Sequence, residues 1–386
     1  HALPLARLNG DRCGGCGIKG QRYEKTLEQK QKKAEELLSP FCAVSPIIGM
    51  ASPYYYRNKV HHAYTRDRSG NIISGPYEKG SHWILNVKDC LIEDRRAQEI
   101  LSTVGTLLKT FRIRTYDEDA GTGFFRRALI RRGFQSNEVM VVLVAASFVF
   151  PGKNNFVKAL TAAHPDITTI ILNVNRRTDS MILGDREEVL YGPGFIRDTL
   201  CGLTFRISSG SFYQVNPVQT EILYGKALKF ADLTGKERVI DAYCGIGTIG
   251  LTAAHLASEV ISVELNPEAV KDAVKNAKEN HIENVRFHTA DATEFLKGLA
   301  SQGGSADVIF LDPPRAGSTP AFIRAAASMQ PSRIVYISCS LVTLARDLAL
   351  FQKRDYEAVK IQPVDMFPWS DGHVETVCLM SRVEGK

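Results

Sequence analysis

The 386 residues contain no run of 18 or more apolar residues, and no charged start leads into a short greasy core. Neither a membrane-spanning helix nor a secretory signal is therefore expected, and the chain reads as a cytoplasmic protein. Eight cysteines in a chain of this length are too few for a disulfide scaffold. In a reducing compartment each is core packing, a metal ligand or a reactive group. Repeats, low-complexity tracts and long disordered linkers are lacking as well, which excludes solenoid and tail-like architectures. Neither charge sign dominates: 48 Lys and Arg against 42 Asp and Glu leave +6, which permits an anionic partner without requiring one.

What is present fits two or three packed domains, because 44% of the residues are hydrophobic and domains run to roughly 100–200 residues. Residues 1–44 hold a glycine-rich turn with Cys13 and Cys16, followed by a charged helical stretch, QRYEKTLEQKQKKAEELL, expected to lie on the surface with one packed stripe. Residues 45–200 show short β-rich runs such as HWILNVKDCLI and EVMVVLVAASFVF between turn residues, which predicts a mostly antiparallel β domain. Residues 201–386 alternate apolar strands with helical segments, the pattern of a parallel sheet with crossover helices.

In that last region VIDAYCGIGTIGLTAA ends a strand at Asp241 and then turns through Gly245, Gly247 and Gly250 into a helix. Glu264 closes the next strand, near the roughly 20-residue offset at which an acid reaches ribose hydroxyls. Asp291 ends a third strand, where it is placed to hold an adenine. The glycines alone also suit a dinucleotide or simple helix packing. The acids around them, with Asp312-Pro313-Pro314 after the fourth strand, suit a cationic sulfonium better than a pyrophosphate. S-adenosylmethionine is the expected cofactor.

Three stretches join an apolar run to a chemically loaded turn: VIFLDPPRAG (308–317), RIVYISCSLVTLARDL (333–348) and VDMFPWSDGHVETVCLM (364–380). They carry Asp312, Cys339 and Glu375. With FYQVNP (212–217) and DAYCGIGTIGL (241–251), and more weakly with CGGC (13–16), PYYYRNKV (53–60), SHWILNVKDC (81–90) and EVMVVLV (138–144), they resemble the RNA 5-methyluridine methyltransferase family, in its 23S ribosomal branch. The resemblance implies an α/β fold: a class I Rossmann-like S-adenosylmethionine methyltransferase domain with a mostly antiparallel β central domain. It implies that Cys339 adds to carbon 6 of a uracil, and that Glu375 removes the carbon-5 hydrogen after methyl transfer. Gln214, Tyr243, Gly245, Glu264, Asp291 and Asp312 are then expected around the cofactor. Arg57, Phe212, Gln214 and Asp312 are expected on the RNA. Two places depart from the family pattern: Ser340-Leu341 after the cysteine, and Trp369-Ser370 before His373.

Cys13, Cys16 and Cys90 match three ligands of a 4Fe-4S cluster in the ribosomal branch, with Arg7 where the family has its first ligand. Zinc, or three unligated thiols, are the alternatives. Arg57, Lys59, Arg126, Arg127, Arg131 and Arg132 interleave with aromatics, a mix that suits phosphate contact and base stacking. A monomer acting on 23S rRNA is expected, with a tRNA enzyme or a non-catalytic RNA-binding protein as alternatives. The chain opens on His1 rather than Met, so an RNA-binding module upstream stays open.

Overall fold

The computed structural model describes residues 13, 15–16, 21–370 and 372–383. Helix α1 (Tyr23–Leu38) precedes a six-stranded sheet made of β1 (Lys59–Arg66), β2 (Ile72–Gly75), β3 (Phe125–Arg132), β4 (Val139–Ala145), β5 (Ile167–Val174) and β6 (Arg186–Tyr191). Its order is β2-β1-β3-β4-β5-β6, antiparallel except between β4 and β5. Every residue of β4, VMVVLVA, is buried, as is usual for a continuous apolar run in a strand covered on both faces.

Two helices interrupt this mostly antiparallel β region. Helix α2 (Arg95–Thr110) starts where the Asp94 carboxylate accepts from Ala97 N at 3.0 Å, and it buries Ala97, Ile100, Leu101, Val104 and Leu108 along one stripe. Helix α3 (Lys153–Ala163) makes the crossover between the parallel pair β4 and β5. The run HWILNVKDCLI forms no strand. It lies beside β2's end through Leu85 N to Pro76 O at 3.0 Å and Val87 N to Ser74 O at 3.1 Å, but Pro76 has no N–H with which to extend the ladder.

A hairpin of β7 (Ile196–Leu200) and β8 (Leu203–Ile207) follows, turning on Cys201 and Gly202, both at positive φ, as a tight two-residue turn demands. Its residues share one apolar core with Leu129 and Val142 of the first sheet and Leu223 and Val239 beyond it. The expected boundary at residue 200 therefore falls inside a hairpin that ties the two sheets together.

Beyond it come α4 (Pro217–Ala231), β9 (Arg238–Asp241), α5 (Thr248–Ala254), β10 (Glu259–Glu264), α6 (Pro267–Glu279), β11 (Val285–Thr289), α7 (Ala292–Ser301), β12 (Val308–Leu311), α8 (Pro320–Ser328), β13 (Arg333–Ser338), α9 (Leu341–Gln352), β14 (Tyr356–Val364) and β15 (Glu375–Arg382). The seven strands are ordered β11-β10-β9-β12-β13-β15-β14. All neighbours pair in parallel except β15, which is antiparallel to both β13 and β14. Strand order reverses between β9 and β12, the position at which open α/β sheets leave a crevice at their carboxyl edge. Among the described residues no helix is long and apolar enough to cross a membrane.

Candidate active site

The turn after β9 is held from below. Asp241 is fully buried and accepts from Gly250 N at 2.9 Å. A Cβ at Gly250 would stand 2.9 Å from Asp241 Oδ2 and 2.7 Å from Ser262 Oγ, so this glycine gives clearance to the underlying strands rather than to a ligand. Burial, with repulsion from Asp312 and Glu264, pushes the Asp241 carboxyl up to about 7. Asp241 thus braces the turn and does not ring the pocket. The Glu264 carboxylate accepts from Gly245 N at 3.0 Å and Asn266 N at 2.8 Å, which fixes the glycine turn against the end of β10.

Three further strand ends complete the edge. Asp312 follows β12 directly. Ser338, the last residue of β13, pairs with Thr376. Carried one residue further, that antiparallel register sets Cys339 opposite Glu375. A cavity of about 1010 Å³ opens over this edge, lined by Arg57, Phe212, Gln214, Tyr243, Gly245, Glu264, Asp312, Cys339 and Glu375, with Cys13 at its margin. Asp291 is not among the lining residues. It is exposed and caps α7, accepting from Thr293 N at 2.9 Å and Glu294 N at 3.1 Å.

The electrostatics of the cavity are those of crowded acids. Burial, with repulsion from Asp312 and against the opposing Arg315, pushes Glu375 up to about 8. Burial alone pushes Asp312 up to about 7. The Cys339 thiol is raised by burial and then by Glu375 and Asp312, again against Arg315. Arg315 Nη2 also lies 2.9 Å from His373 Nδ1. Burial and the cations around it, Arg315 first, hold His373 below its usual range, so it accepts as a neutral ring.

Arg315, Phe367, Ser370, His373 and Lys79 line the same cavity, although sequence patterning does not single them out.

On the side facing the first sheet, Phe212 is 69% exposed at the cavity wall. Arg57 lines it too, with its buried Nε lacking a hydrogen-bond partner. Three of the expected RNA-facing arginines are engaged internally instead. Arg126 pairs with Glu118 and lies over Tyr116. Arg131 is buried and donates to Ser209 O at 3.1 Å and to Ser211 O. Arg132 Nη1 donates to Asp94 at 2.7 Å.

A second cavity, about 490 Å³, is lined by Cys13, Cys16 and Cys90 together with Arg57 and Lys59. The thiols face one space, yet among the described residues no group of three His, Cys, Asp or Glu is arranged to hold a metal ion. As they stand, these side chains do not form a cluster's ligand set. Arg7 lies outside the described residues. Burial, and then Glu93, pushes the Cys90 thiol up to about 12. Cys16 packs with Met50, Tyr56, Ile92 and Trp369 in a small apolar cluster that Cys90 adjoins.

Residues 197–383 match the family model described as tRNA (uracil-5-)-methyltransferase. An uncharacterized RNA methyltransferase of Halalkalibacterium halodurans is 41% identical over 375 residues, 96% of this chain and 81% of the relative. One from Caldanaerobacter subterraneus is 42% identical over 384 residues, 98% and 84% of the two chains. Among solved structures, the tRNA (uracil-54, C5)-methyltransferase of Pyrococcus abyssi in complex with S-adenosyl-L-homocysteine superposes with a TM-score of 0.80 at 27% identity, covering 95% of this chain and 85% of that one. Near-complete coverage at this identity, and a cysteine, a glutamate and an aspartate brought to one strand edge, lead to the same conclusion: the chain belongs to the S-adenosylmethionine-dependent RNA uracil-5-methyltransferase family.

Proposed function

We propose that the chain methylates carbon 5 of a uridine in 23S rRNA through a covalent Cys339 adduct. The observation that carries this reading is that Cys339, just past the end of β13, and Glu375, at the start of the adjacent β15, line one cavity with Asp312. Carbon 5 of uracil is a poor nucleophile. Addition of the Cys339 thiolate to carbon 6 forms a C–S bond and moves the ring's electron pair into an enolate that can attack through carbon 5. S-adenosylmethionine supplies the methyl group and leaves as S-adenosylhomocysteine. The Glu375 carboxylate takes the remaining hydrogen of carbon 5 as a proton, and the freed pair restores the ring double bond and expels the thiolate.

Glu264, Tyr243, Gly245 and Asp312 are assigned to the cofactor. Asp312, raised by burial, suits a sulfonium. Asp291, outside the lining, is assigned to the helix cap through which it supports the adenine side. Gln214 and Phe212 are assigned to the boundary between cofactor and base, and Arg57 to the RNA backbone. A uridine reaches Cys339 only after leaving its stack, at a cost of a few kcal/mol that is least in a loop or bulge.

The test is transfer of labelled methyl to unmodified 23S rRNA and tRNA transcripts, with the product nucleoside identified by mass. Label in 5-methyluridine of 23S rRNA is expected. Label only in tRNA, the substrate named for the Pyrococcus abyssi protein, would keep the chemistry and change the target.

The ribosomal reading also carries a 4Fe-4S cluster on Cys13, Cys16 and Cys90. Three thiols around one cavity support it, and their present arrangement weighs against it. Brown protein containing iron, found by metal analysis, would favour the cluster. Colourless, iron-free protein removes the cluster from the account.

A further inference from the structure

We infer that Lys30, on a helix outside the catalytic sheet, is a positioning residue for proton removal by Glu375; the inference rests on the reading of Glu375 as the base. Lys30 and Asp365 form an ion pair at 2.7 Å whose side chains are 1% and 0% exposed. The ammonium also donates to Phe367 O at 3.0 Å and reaches Ser370 Oγ at 3.4 Å, so its three protons have three acceptors. The other Asp365 oxygen accepts from the Tyr23 hydroxyl at 2.7 Å. That hydroxyl in turn accepts from Met50 N at 2.9 Å.

Asp365, Phe367 and Ser370 all belong to the connection from β14 to β15. The last pair of those strands is Val364 with Glu375, so Asp365 leaves the sheet beside the base itself. Phe367 and Ser370, the two further loop residues that Lys30 holds, both line the active-site cavity, as does His373 before Glu375. From the other side Gln219 Nε2 donates to Asp365 O and Asn216 Nδ2 to Met366 O, each at 3.0 Å. The loop contains Trp369 at φ +68°, a conformation that a non-glycine residue keeps only when its surroundings over-determine it.

A buried ion pair adds little net stability, because desolvation offsets attraction. Its better-attested use is to fix a register. Here the register is that of the strand end bearing Glu375, and α1 sets it without touching the cavity.

The test uses Lys30→Met/Asp365→Asn, which removes both charges of this pair and keeps an acceptor for Tyr23. Folding is checked by thermal melt. Turnover is measured on uridine RNA, and adduct formation on the same RNA carrying 5-fluorouridine. The fluorinated adduct needs Cys339 attack and methyl transfer but not proton removal, since fluorine cannot leave as a proton. A misplaced base should lower kcat on uridine RNA about 10²-fold, while KM and the rate of fluorinated adduct formation stay within about 2-fold of wild type. An unchanged kcat, or an equal fall in both rates, overturns the inference.

If the double variant does not fold, Tyr23→Phe keeps the ion pair and removes two hydrogen bonds, the one donated to Asp365 and the one accepted from Met50 N. The same split at about 5-fold is then expected, and its absence overturns the inference. Wild-type protein that forms no fluorinated adduct refutes the reading of the site itself, an outcome distinct from failure at Lys30.

Discussion

Cys339→Ala is expected to abolish methyl transfer, by about 10⁴-fold or more, while S-adenosylmethionine binding stays within about 2-fold of wild type. The reason lies in the division of the cavity. Glu264 and the glycine turn occupy the β9–β10 side, and Cys339 stands beyond β12, next to Glu375. Removing the sulfur takes away the group that makes carbon 5 nucleophilic and leaves the turn's hydrogen bonds untouched. The thiol is also not a ready thiolate, since burial, Glu375 and Asp312 all raise it, against Arg315 and a backbone hydrogen bond. Protonation of the two carboxyls near neutral pH eases that repulsion, so the acids that crowd the thiol also permit its ionisation. Cofactor titration by calorimetry, beside label transfer to RNA, checks the prediction. Full activity in the alanine variant would sink the covalent mechanism.

Glu375→Gln is expected to lower turnover by about 10²–10⁴-fold and to accumulate an enzyme–RNA adduct, visible as a slow band on a denaturing gel. The amide keeps the shape of the carboxylate but cannot accept the carbon-5 proton, so the reaction stops after methyl transfer with the C–S bond intact. The wild-type pH profile carries the same signature. With Glu375 held near 8 by burial and by Asp312, the proton-accepting form is the minority at pH 7. Its share grows as pH rises, so adduct breakdown should accelerate up to about pH 8 and then level off. In the glutamine variant that rise should disappear. A variant that neither traps an adduct nor loses the pH dependence would assign the base to another group.

The catalytic half was legible because its strands end on chemistry: Asp241, Glu264, Asp312 and Cys339 each follow or close an apolar run. The facing of Cys339 and Glu375 was not legible, since it depends on β15 entering antiparallel between β13 and β14, which no local pattern encodes. In the first sheet, helix α2 was obscured by its threonines, valine and glycine, although Ile100, Leu101, Val104 and Leu108 carry helical spacing. Arg131 resembled a nucleic-acid surface because its partners, Ser209 O and Ser211 O, lie 78 and 80 residues away. Lys30 posed the same problem at greater range. It reads as one more charge on an exposed helix, and its buried partner stands 335 residues downstream.

The two tryptophans occupy opposite environments. Trp83 is 73% exposed on the first domain's surface, whereas Trp369 is 4% exposed and stacked 5.3 Å from Tyr23 within the loop that leads to Glu375. The molecule thereby carries its own optical reporter. Trp369 emits from an apolar setting and Trp83 from water, so blue- and red-edge fluorescence separate events at the catalytic loop from events at the outer surface. With Trp83→Phe, the remaining indole follows the loop alone as cofactor and RNA arrive.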